Sequence, residues 1–106
     1  MSDDIIYKGR FIWNRNKAEA NQRKHLGMTF EKGTEAYDDP LAVEEYDEEN
    51  SVYEDRYNRT GIVGDTYITV SFTHRNNLAR IFSVREAEDE EGRAYDEHVR
   101  QYIGER

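Results

Sequence analysis

Residues 66–85, TYITVSFTHRNNLARIFSVR, decide the fold of this chain. Ile68, Val70 and Phe72 alternate with Tyr67, Thr69 and Ser71, the period of a strand with one buried face. Asn76-Asn77 supplies a tight turn, because asparagine tolerates left-handed φ and bonds its own backbone. The return strand sets Ala79, Ile81, Ser83 and Arg85 against Arg80, Phe82 and Val84. In straight alternation one face therefore carries either Arg85 or Arg80 beside apolar neighbours. A guanidinium held at a rigid strand end is either a structural ion-pair partner or a receiver of anions.

Upstream of this hairpin, Ser2–Lys8 reads as a frayed start, and Arg10–Asn14 as a short strand with Phe11 and Trp13 on one face. Asn14 is a good N-cap for a helix over Lys17–His25, where no β-branched residue interrupts. Its apolar positions are few, Ala18, Ala20 and Leu26, so it lies on the surface, and Gly27 suits a left-handed end. Thr29 caps a second helix with Phe30, Thr34 and Tyr37 on one side, ended by Asp38-Asp39-Pro40. Leu41–Tyr46 and Tyr53–Val63 read as strands around a polar Asp47–Val52 connection, and Gly64-Asp65 turns into the hairpin. Downstream, Ala94, Tyr95, His98, Val99 and Tyr102 recur at helical spacing, and acids in the first turn suit the helix dipole. The order β-α-α-β-β-β-β-α predicts an α+β domain: a small, mostly antiparallel sheet with N-terminal helices and a C-terminal helix packed on it.

A chain of 106 residues builds one domain, with residues 1–9 as a frayed end and 10–102 as the core. Apolar and charged residues each make up 36%, so the core is compact and draws on eight tyrosines and four phenylalanines. The absence of cysteine excludes disulfides and thiolate metal sites and fits a cytoplasmic protein. No window reads as a signal peptide or membrane span. The net charge of −8 is unevenly spread. Glu44–Asp55 holds seven acids and no base, and Glu86–Glu91 five acids and no base. With those twelve set aside, eleven acids face fifteen bases, which leaves room for a basic surface between two acidic runs.

His25, His74 and His98 fall on separate elements without ligand spacing, so neither a metal nor another cofactor is expected. No glycine-rich phosphate loop or G-x-S-x-G is present. The remaining chemistry suits phosphodiester cleavage without a metal. That reaction needs a base for the 2′-hydroxyl, cations for the phosphorane and an acid for the leaving oxygen. Glu54, Arg56, Arg59, His74, Arg75, Arg80, Arg85, Tyr95 and His25 supply such groups if they converge on one sheet face.

FIWNRNKAEANQRKH, residues 11–25, resembles the F-x-W-(D/N)-x-x-K-x-x-x-N-x-x-K-H opening of the BrnT family, ribonuclease toxins of type II toxin–antitoxin pairs. TFEKGTEAYDDP, then Glu54-x-Arg56, then Gly61 follow in the family's order, and THRNNLARIFSVREA resembles its T-x-R…R-I-I-S-A-R-x-A. The likeness runs from about Arg10 to Tyr95. Three departures stand out: an extra residue in His25-Leu26-Gly27, His74 where an acid is common, and the acidic Glu86–Glu91 where the family is usually basic. The resemblance implies a RelE-like fold and RNA as substrate. It also implies a BrnA-like ribbon-helix-helix antitoxin, through which alone DNA is met; a homo-oligomer is compatible with it. On that view Arg85, Arg56, Glu54, His25 and Tyr95 are candidate catalytic residues. Arg80, Arg75, Arg59 and His74 are candidate substrate-binding ones. A different class remains beside it, a catalytically silent protein of the same fold whose acidic runs bind another protein.

Overall fold

The computed structural model describes residues 4–104. Its strands are β1 (Ile5–Lys8), β2 (Phe11–Asn14), β3 (Val43–Tyr46), β4 (Tyr57–Val63), β5 (Thr66–Arg75) and β6 (Leu78–Glu86). Its helices are α1 (Arg15–Lys24), α2 (Phe30–Tyr37) and α3 (Asp89–Gly104). The six strands form one sheet in the order β1-β2-β6-β5-β4-β3. Every pairing is antiparallel except β2 with β6. The α+β architecture read from the sequence is the one observed.

Ile5–Lys8 corrects the expectation of a frayed start. Ile5 pairs with Asn14 and Lys8 with Phe11, and Gly9 turns between them at φ +58°. Ser2 and Asp3 lie outside the described residues. Two other boundaries shorten. β3 begins at Val43 because Asp39 and Pro40 shape a turn in which the Leu41 N–H donates to Asp39 Oδ1. β4 begins at Tyr57 because residues 47–56 close into a loop. Within it the Asp47 N–H donates to the Arg56 carbonyl, and Ser51 Oγ accepts from the Arg56 N–H while donating to the Asp47 carbonyl.

The core lies between one face of the sheet and α1 and α2. Phe11, Trp13, Phe30, Ile68, Val70, Phe72, Ile81 and Val84 are all buried there. Both predicted caps form: Asn14 accepts from the Lys17 N–H, and Thr29 from the Lys32 N–H. Asn21, buried in α1, donates to the Val84 carbonyl and accepts from its N–H, and so satisfies the edge of β6 where β2 has ended. Gly61 lets α2 approach β4, since a Cβ there would collide with the Ala36 carbonyl oxygen.

Asn76 and Asn77 adopt φ 52° and 67°, the two left-handed residues of a tight hairpin loop closed by the Arg75–Leu78 pair. Straight alternation fails farther along. Phe72 pairs with Ile81 but Ser71 pairs with Ser83, so a bulge leaves Phe82 without an opposite residue. The bulge shifts the phase of β6. Ile81 and Val84, an odd number apart, both reach the core, and Arg80 and Arg85 share the other face. Straight alternation would set these two arginines on opposite faces; one extra residue brings them to the same face, as their expected convergence requires.

Candidate functional site

The sheet face opposite α1 and α2 is polar. Directly paired strand residues share a face, so the register places Thr60, Thr69 and Arg85 in one row, and Asn58, Ser71 and Ser83 in the next. Thr73 pairs with Arg80 one row farther on, and Arg75 with Leu78 beyond that. Arg56, two residues before Asn58, extends the same face. The hydroxyls knit these rows together: Thr60 and Thr69 Oγ1 lie 2.7 Å apart, and Ser71 Oγ donates to Asn58 Oδ1 at 2.6 Å.

Helix α3 covers one end of this face. Tyr95 is buried there with its ring 5.8 Å from that of Tyr67. Its hydroxyl donates to Asp39 Oδ2 at 2.6 Å. Burial, helped by that bond to a carboxylate, raises its pKa far above the usual phenol. Burial alone would raise the pKa of Asp39. The bonds from Tyr95 and from the Ile62 and Leu41 N–H groups outweigh it, and the carboxyl is held below its ordinary value.

Arg85 meets α3 at its first turn. Its Nη1 and Nη2 donate to Glu91 Oε1 and Oε2 at 2.7 and 3.0 Å, a two-pronged pair. Glu91 Oε1 also accepts from Thr69 Oγ1 and the Glu88 N–H. The bond to Glu91 is the main cause that raises the Arg85 pKa. For Glu91, burial would raise the pKa, but the bonds from Arg85, Glu88 and Thr69 pull it below the ordinary value.

The far end of the face is open. Arg56 lays its guanidinium on the Phe82 ring, Cζ 3.9 Å from the centroid. Glu54 reaches Arg56 and Arg75 at 3.5 and 3.4 Å, both longer than a strong charged hydrogen bond. Arg80 is half-buried on this face and makes no ion pair among the described residues.

Of the nine residues singled out in the sequence, Glu54, Arg56, Arg75, Arg80 and Arg85 share this face, with Arg85 at its covered end. The expected convergence of all nine is corrected for the others. Arg59 pairs with Val70 and so faces α2, where its Nε donates to the Tyr37 carbonyl. His74 follows Phe72 on that same side, 5.3 Å from its ring. His25 is the C-cap of α1, its N–H on the Asn21 carbonyl. Tyr95, on the inner side of α3, directs its proton at Asp39. Glu91, Asp39 and Phe82 were missed. The three-residue step from Glu88 to Glu91 is a capping-box spacing and Asp39-Pro40 a turn signal, whereas nothing local announces the exposure of Phe82.

Fold and face together describe a small α+β protein with an arginine-bearing sheet surface, closed at one end by its last helix. Residues 13–91 match the family model described as the ribonuclease toxin, BrnT, of type II toxin–antitoxin systems, and the chain belongs to that family. No curated protein matches the sequence. Among the described residues, no helix is long and apolar enough to cross a membrane.

Proposed function

We propose that this chain is a metal-independent endoribonuclease, acting in the cytoplasm and neutralised by a BrnA-like ribbon-helix-helix antitoxin. One observation carries the reading beyond family membership: Arg56, Arg75 and Arg80 gather at the open end of one face with incomplete pairing. In this proposal the RNA phosphate lies against Arg80 and Arg75, whose cations stabilise charge building on the phosphorane oxygens. Arg56 assists from its place on Phe82. Arg85 acts at one remove, since its guanidinium is engaged by Glu91 and fixes α3 over the far rows. Tyr95 is likewise a positioning residue, its hydroxyl bound to Asp39.

The decisive assay is cleavage of RNA by purified protein in EDTA, with Arg80→Ala as the matched variant. Cleavage that survives chelation and falls about a hundredfold in the variant supports the proposal. Equal cleavage by the variant removes Arg80 from the mechanism, and a requirement for added metal removes metal independence.

A second reading has its own observation. Arg85 and Glu91 pair fully, and Glu54 partly neutralises Arg56 and Arg75. A face so neutralised also suits a catalytically silent protein that binds partners through its acidic runs. A small ribbon-helix-helix reading frame beside this gene, together with growth arrest on expression, decides for the toxin.

A further inference from the structure

We infer that Phe82, Arg56 and Glu54 form a nucleobase subsite selective for guanine; the inference rests on the ribonuclease reading above. The bulge is the starting point. It takes Phe82 out of the strand register and sets the ring, half-buried, on the polar face outside the core cluster. A phenylalanine only partly buried, set among arginines and hydroxyls outside the core, needs a reason. Arg56 covers part of it at 3.9 Å, yet the Arg56 side chain stays 35% exposed. The two flat groups make a stack that a base can extend, because bases lie readily on aromatic rings and on guanidinium planes.

Arg56 is held by stacking more than by hydrogen bonding. Its Nε is buried with no partner, and its contact with Glu54 is 3.5 Å.

Glu54 narrows the choice of base. Its carboxylate stands beside the stack, 30% exposed and only loosely bound to Arg56 and Arg75. An ionised carboxylate accepts and never donates. Among the four RNA bases only guanine offers two adjacent donors, N1–H and the 2-amino group, on its Watson–Crick edge. Adenine and cytosine each place an acceptor next to the amino group, and uracil flanks its single N–H with two carbonyls. Guanine alone satisfies both Glu54 oxygens while its ring lies on the stack. Arg80, in the Thr73 row that Arg56 extends, and Arg75, one row on and roughly 7 Å along the strand, then meet the adjoining phosphate.

Fluorescence anisotropy with 2′-O-methyl tetranucleotides tests this, since they lack the 2′-hydroxyl and cannot be cleaved through it. Four probes differ in one base within a uridine context, and a fifth carries inosine, which lacks the 2-amino group. The guanine probe is expected to bind about tenfold or more tighter than the adenine, cytosine and uracil probes, with inosine between. Glu54→Gln is expected to bring that ratio near one, because an amide offers one acceptor and one donor group. Phe82→Leu, which keeps an apolar filler, is expected to weaken all probes by a similar factor of about ten. Equal wild-type affinity for all four bases, or a Glu54→Gln variant that keeps the ratio, overturns the subsite. RNA cleaved without base preference overturns it too, while leaving the nuclease proposal intact. Guanine preference in binding by a protein that cuts no RNA supports the subsite and sinks the nuclease proposal.

Discussion

The two ends of the polar sheet face use the same residue type in opposite ways. Under α3, Arg85 is paired through two short bonds to Glu91, whose carboxylate also takes Thr69 and the Glu88 N–H. At the open end, Arg56 and Arg75 share one loosely placed carboxylate, that of Glu54, and Arg80 has no carboxylate partner among the described residues. A half-buried, fully bonded guanidinium holds structure together, whereas an under-paired one on an accessible surface remains able to bind an anion. An arginine's role is thus set by the number of acceptors around it.

The sharpest way to break this contrast is to untie the covered end. Glu91→Ala leaves Arg85 half-buried without its partner and is expected to cost about 3 kcal/mol of stability, read by urea unfolding. A loss under about 0.5 kcal/mol would show that the two ends do not differ in kind. Next comes Arg80→Ala, expected to lower RNA cleavage about a hundredfold with stability changed by less than about 0.5 kcal/mol. A large stability loss there would make Arg80 structural like Arg85.

Acid sharpens the comparison further. Because the folded pKa of Glu91 is lowered, its contribution is complete above the unfolded glutamate value of about 4.3. It is lost as pH falls through the lower folded value. Glu91→Gln should therefore lie well below the wild type in urea midpoint at pH 7, with the gap narrowing near pH 3. A gap that stays constant would remove the ionised pair as its cause. The smallest effect belongs to Arg75→Ala, whose exposed, 3.4 Å contact with Glu54 predicts a stability change below about 0.5 kcal/mol in thermal melts.

Much of the fold is legible locally. Asn14 and Thr29 cap the helices predicted from them, and Asn76-Asn77 turns the hairpin between β5 and β6, because caps and turns depend on residues a few positions apart. β1 was not legible, since Ile5–Lys8 is exposed but for half-buried Ile6 and is a strand only through pairing with β2. Of the candidate site, the arginines were visible as residue types, but their grouping was not. His74 and Arg59 fell on the wrong face, and Tyr95 and His25 entered caps and packing.

The sequence by itself determined the α+β order of elements from β2 onward, the caps and the hairpin, and its motifs carry the BrnT resemblance that the family match bears out. Only the tertiary structure decided which arginines stand together and which are occupied. One bulged residue in β6 reverses the phase that places Arg80 and Arg85, and the carboxylate that binds Arg85 arrives on the following helix. Strand phase is a property of pairing between chains of atoms distant in sequence, so no local pattern contains it.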